Sequence, residues 1–132
     1  MKTYTNEDYE YCKAVANEIY NQLFWSIDRD VFWSWGVSKM CYGFYNDMPT
    51  RMIRVSGLVH KGWIYVSLNE GKDLYEVRLL NVRRQLKKTV EDVYGEDLGA
   101  IIDGLVECPT SMTAKEYEKK AMKDSERKLR AA

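Results

Sequence analysis

Tyr9, Cys12, Ala16, Ile19, Tyr20 and Leu23 recur at steps of three and four residues. That spacing puts them on one stripe of an amphipathic helix over about 6–24. Thr5 stands where an N-cap is needed, and Glu7 and Asp8 suit the positive end of the helix dipole. From Arg51 the period changes from helical to two. Ile53 and Val55 alternate with Met52, Arg54 and Ser56. Ile64, Val66 and Leu68 alternate with Trp63, Tyr65 and Ser67. Tyr75, Val77 and Leu79 alternate with Leu74, Glu76, Arg78 and Leu80. Residues of one parity share a face of a strand. Three strands over 52–59, 63–68 and 73–82 follow, joined by turns at His60-Lys61-Gly62 and Asn69-Glu70-Gly71, where late glycines supply a positive φ. Antiparallel strands with one covered face give this alternation.

Between these regions the pattern is less regular. Phe32-Trp33-Ser34-Trp35 reads as strand-like and Gly36 interrupts it. Lys39–Tyr45 reads as a strand with Gly43 as a bulge, and Asn46-Asp47-Met48-Pro49 as a turn. Asn81–Lys88 is an edge strand or an extended loop. A helix follows over about 91–107, with Tyr94, Leu98, Ile101, Ile102 and Leu105 on its apolar stripe and Gly95 as a place for a break. Thr113-Ala114-Lys115-Glu116 is a capping box opening a charged segment over 111–132, helical or partly disordered.

The fold expected is α+β: an N-terminal helix, an antiparallel meander of about four to six strands, a helix packed on the sheet, and a charged C-terminal helix. Residues 1–110 form one domain and 111–132 its tail. The core comprises Val15, Ile19, Leu23, Ile53, Val55, Val59, Ile64, Val66, Leu68, Val77, Leu79, Leu98, Ile102 and Leu105. With 132 residues, 45% of them hydrophobic, the chain can bury such a core without disulfide or metal.

Charge changes the picture more than composition does. Lys and Arg equal Asp and Glu at 20 each. Yet residues 51–88 hold nine basic and three acidic side chains, while 89–110 hold six acidic and no basic ones. Such blocks make opposed surface patches or neutralise each other by packing. The three cysteines Cys12, Cys41 and Cys108 form no CxxC and read as reduced thiols. The first twenty residues predict no signal peptide, and no apolar run is long enough to span a bilayer. A cytoplasmic protein is expected.

Chemistry is sparse. His60 is the one histidine and falls in a turn, where an exposed side chain is expected; a nucleophile–base pair with Cys41 has little to recommend it. Asp92, Glu96, Asp103 and Glu107 fall on the outer face of the second helix, as solvated carboxylates do. No phosphate-binding loop and no metal-ligand spacing occurs, so no cofactor, metal or catalytic residue is assigned. The surface singled out for a partner is the second face of the meander: Arg54, Trp63, Tyr65 and Arg78, with Lys61 and Lys72 at its margins. Rings and cations there suit a protein partner. They also suit single-stranded nucleic acid, in which bases stack and phosphates meet the cations. Zero net charge weighs against strong general DNA affinity.

Gly62-Trp63-Ile64-Tyr65-Val66-Ser67-Leu68-Asn69, Asp73-Leu74-Tyr75-Glu76-Val77 and Val93-Tyr94-Gly95-Glu96-Asp97-Leu98 resemble segments of small uncharacterised proteins carried by phages and conjugative elements of gut bacteria. The resemblance covers roughly residues 14–106. It implies a mobile-element accessory protein that touches host machinery or element DNA. It implies no activity and transfers no functional residue. The sequence therefore leads to a non-catalytic module acting by protein–protein contact, with nucleic-acid binding as the alternative.

Overall fold

The computed structural model describes residues 3–27 and 29–107. Helix α1 spans Asn6–Ser26 and α2 spans Arg29–Ser34. Five strands follow: β1 Lys39–Tyr45, β2 Met48–Ser56, β3 Lys61–Asn69, β4 Leu74–Leu80 and β5 Leu86–Val93. A 3₁₀ turn, Gly95–Asp97, leads into α3, Leu98–Val106. The strands form one antiparallel sheet in the order β1-β2-β3-β4-β5. The chain is thus α+β, with a helix packed on a five-stranded meander. The expected tail over 111–132 lies outside the described residues, as does Cys108.

Helix α1 starts where its cap predicts. The Asp8 backbone N–H donates to Thr5 Oγ1 at 3.1 Å, and the Thr5 N–H donates to Asp8 Oδ2 at 2.8 Å. This reciprocal box satisfies two donors that the first turn would otherwise leave open. Thr5→Ala should lower stability by about 1 kcal/mol, measurable as a shift in the urea midpoint without a change in slope.

One face of the sheet carries Ile53, Val55, Ile64, Val66, Tyr75, Val77, Leu79 and Val93. Ile19 and Leu23 of α1, Phe32 of α2, Trp35, and Leu98, Ile102 and Val106 of α3 close over it. All the expected core residues belong to this cluster or pack against it except Val59, which falls in the β2–β3 turn. A cation sits within the same face. Arg51 donates through Nε to the Ala16 carbonyl at 3.2 Å, through Nη1 to the Cys41 carbonyl at 3.3 Å, and through Nη2 to Asn17 Oδ1 at 3.2 Å. It ties α1 to the first two strands through three oxygens, and burial pulls its guanidinium below the ordinary arginine value.

Several boundaries differ from the sequence expectation. Phe32-Trp33-Ser34-Trp35 is not a strand: Phe32 and Ser34 belong to α2, and Trp35 follows it. Phe32 and Trp35 are both fully buried three residues apart, which is a helical step, and Ser34 Oγ donates back to the Val31 carbonyl at 2.6 Å. Gly36, at φ +64°, ends this segment; a Cβ there would stand 2.7 Å from the Ser56 carbonyl oxygen. Gly43 is no bulge, since the β1–β2 register runs unbroken through Gly43 and Thr50. The turn at 46–49 contracts to Asn46 and Asp47, both with positive φ, as a two-residue type I′ hairpin requires. Gly62 does have positive φ, but inside β3, where its missing Cβ lets the Leu80 carbonyl approach. In the next turn the residue with positive φ is Asp73, not Gly71. The helix expected over 91–107 is shorter: Glu91–Val93 complete β5, and α3 begins at Leu98.

Candidate functional site

The strand register brings the four sequence-selected residues onto one face. Arg54 lies opposite Trp63, and Tyr65 lies opposite Arg78. They are not equally accessible. Trp63 and Tyr65 are each 4% exposed and Arg78 6%, whereas Arg54 is exposed. Trp63 and Tyr65 pack edge to face at 6.3 Å between ring centroids, with Leu80, Met52, Cys41 and Tyr45 around them. The Arg84 guanidinium covers the Trp63 ring, 4.5 Å from its centroid. Arg78 stacks 5.0 Å from the Tyr45 centroid and pairs with Glu76, which also accepts from Asn69 Nδ2 at 2.8 Å. Thr50 and Ser67 join their hydroxyls at 2.7 Å nearby. Burial pushes the Tyr65 phenol up, against the pull of Arg84. Two expectations about charge are revised here. The acidic block reaches this face only at its margin, and Arg78 finds its carboxylate on its own strand. Lys72 pairs at the surface with Asp92 at 3.2 Å, a residue of β5 rather than of the helix.

His60 is buried, not exposed as its turn position suggested. Its Nε2 lies 3.2 Å from the Trp63 carbonyl oxygen, which can only accept, so in the neutral ring Nε2 carries the proton. Among the described residues, Nδ1 is buried without a hydrogen-bond partner. Desolvation holds the imidazole below its ordinary value, aided by Lys87 and opposed by the Trp63 and Leu80 carbonyls. A neutral native His60 has a simple consequence. Below the unfolded value of about 6.5, the unfolded chain binds a proton that the native chain refuses. Stability should therefore fall as pH drops from about 6.5 towards the depressed native value. Thermal melts of the parent and His60→Asn across that range should converge if His60 is the cause. Cys12 Sγ donates to the Gly43 carbonyl at 3.1 Å, and burial pushes its thiol up. Cys41 Sγ lies 3.9 Å from Met52 Sδ. The described residues contain no group of three or more His, Cys, Asp or Glu placed to hold a metal. No described helix is long and apolar enough to cross a membrane.

The accessible aromatic surface is elsewhere. Tyr20, Asn21, Phe24 and Trp25 of α1 and Arg29 and Trp33 of α2 line an open groove of about 430 Å³. Its floor is anchored: Tyr20 and Phe24 lie 4.5 Å apart, and Phe24 lies 4.8 Å from the buried Phe32. Its walls are Trp25, 89% exposed, and Trp33, 56% exposed. Large exposed rings on a fixed floor are what interface hot spots are made of. The selection of the sheet face passed over this groove. A signal was present: position 25 lies two residues past Leu23, about 200° around a helix, so a tryptophan sits opposite the apolar stripe.

No family model, no curated protein and no solved structure matches this chain.

Proposed function

We propose that this protein is a small non-catalytic accessory module that acts by protein–protein contact through the groove between α1 and α2. In this reading it works in the cytoplasm and serves a phage or other mobile element as an inhibitor of host machinery. One observation carries the contact: two exposed tryptophans, Trp25 and Trp33, flank an anchored aromatic floor beside Arg29. Trp and Arg are the residue types most enriched where partners bind tightly, and exposed rings gain most from being covered. Of the four residues at the centre of the face selected from sequence, Arg54 is the one open to a partner. Trp63, Tyr65 and Arg78 support the sheet beneath it.

The test is cross-linked capture from a bacterial host lysate with the parent and with Trp25→Ala/Trp33→Ala. The expected result is a partner held by the parent and lost by the double variant, with both melting within a few degrees of each other. Identical partner sets would remove the groove from the function. Titration with single-stranded oligonucleotide at two salt concentrations covers the alternative. A salt-dependent quenching of tryptophan fluorescence that Arg54→Ala and Arg84→Ala abolish would move the function to nucleic acid.

A further inference from the structure

We infer that the groove between α1 and α2 takes an extended, proline-rich peptide segment with a carboxylate beside its prolines. The inference rests on the reading of this groove as the protein-binding surface and adds the chemistry of the partner. The side chains of the lining residues are unbalanced in donors and acceptors. The indole N–H groups of Trp25 and Trp33 and the guanidinium of Arg29 can only donate; Tyr20 and Asn21 can do both. Among the described residues, Trp25, Trp33 and Arg29 make no side-chain hydrogen bond or ion pair, so these donors are free for a ligand.

A ligand for such a site must bring acceptors and few donors. An ordinary peptide would bring an N–H for every carbonyl. Each N–H placed against a donor would be stripped of water without a partner. Proline keeps the carbonyl and lacks the N–H. A proline-rich segment is also preformed as an extended left-handed helix, so a shallow groove need not supply the ordering entropy of a flexible chain. Its flat rings meet indole faces, as aromatic-lined grooves generally exploit. Charge adds the last element. Among the described residues lining the groove, Arg29 is the one charged side chain and none is a carboxylate. A carboxylate next to the prolines completes it, and a lysine there meets a like charge.

The four tryptophans make the test internal to the protein, because Trp25 and Trp33 are exposed while Trp35 and Trp63 are buried. The readout is the set of indole N–H signals in ¹H–¹⁵N spectra. The probes are a capped proline decapeptide with one central glutamate, the same peptide with lysine in its place, and a capped leucine–alanine amphipathic helix. The glutamate peptide should shift the Trp25 and Trp33 signals and leave Trp35 and Trp63 unmoved. The lysine peptide should bind about tenfold more weakly. Arg29→Gln, with unchanged melting temperature, should bring the two proline peptides together. The inference is overturned if both proline peptides bind equally to the parent, or if Trp63 moves with them. A silent proline peptide alongside a binding helix overturns it too, and leaves the protein-binding groove standing. If no peptide moves Trp25 or Trp33, and the double tryptophan variant also keeps its captured partners, both readings fall.

Discussion

Ile64→Asp leaves the chain unfolded at room temperature. Ile64 is fully buried in β3, the middle strand of five, with Ile53 directly opposite on β2 and Leu79 on β4. The substitution removes a buried aliphatic side chain, at about 2–5 kcal/mol. It also places a carboxylate among apolar neighbours, adding desolvation on a similar scale. Together these approach the roughly 5–15 kcal/mol that holds a domain folded. Val66→Asp, two residues along the same face, should be the milder change. Its cross-strand neighbour on β2 is Arg51, a buried guanidinium whose hydrogen-bond partners are all neutral oxygens. An aspartate at 66 would stand beside that charge. Circular dichroism melts decide it. Equal loss of structure in the two variants would show that Arg51 is committed to the α1 carbonyl and cannot answer a new carboxylate. Retained structure in Ile64→Asp would contradict the burial of the middle strand.

The meander was legible because its physics is local. A period of two with aliphatic residues on one parity specifies which face is buried, and a one-residue slip would turn that whole face to water. Helix α1 was legible for the same reason, through its cap and its stripe. Two errors concern the type of element. Val90 and Val93 both face the core from β5, while their partners Val77 and Tyr75 on β4 are two residues apart. A register shift absorbs the additional β5 residue, and Asp92 has φ +57° within that stretch. The second helix was read too early because Tyr94 stands one helical step before Leu98, yet Tyr94 is extended and exposed ahead of the 3₁₀ turn. Phe32 and Trp35 invert the error. They are three apart because they are helical in their approach to the core, but strand propensity dominates the reading of an aromatic run.

The candidate site was legible in its grouping and not in its exposure. Alternation places Arg54, Trp63, Tyr65 and Arg78 on one face, and the register agrees. Exposure depends on what each side chain finds to cover it. Arg84 over Trp63 and Tyr45 over Arg78 come from β4–β5 and from the end of β1, segments far away in sequence. Trp25 shows the converse. A tryptophan off the apolar stripe is visible in the sequence, but only the placement of α2 turns it into one wall of a groove.

Arg78→Met should cost about 3–5 kcal/mol, through what it leaves behind rather than through what it removes. Glu76 and Arg78 lie two residues apart on β4, both nearly buried, and face each other as a hydrogen-bonded ion pair. Burial alone would push the Glu76 carboxyl up. The hydrogen bonds from Asn69 and Arg78 and the charge of Arg78 outweigh it and hold the group below its ordinary value. In the parent, Glu76 thus contributes stability that is present above the unfolded value of about 4.3 and is lost as pH falls through the lower native value. In Arg78→Met the sign reverses. With the guanidinium gone, burial should dominate and Glu76 should titrate above its ordinary value. The variant is then penalised most near neutral pH and relieved as acid protonates the carboxyl. The gap in melting temperature between parent and variant should accordingly narrow from about pH 7 towards about pH 4. A gap that stays constant would mean that the pair carries no charge-dependent stability. The double variant Glu76→Met/Arg78→Met completes the cycle. Removing both ions exchanges their desolvation for apolar packing, so its stability should return close to the parent's and lie well above that of Arg78→Met. A double variant no more stable than the single one would place the loss in the packing of Arg78 against Tyr45 instead.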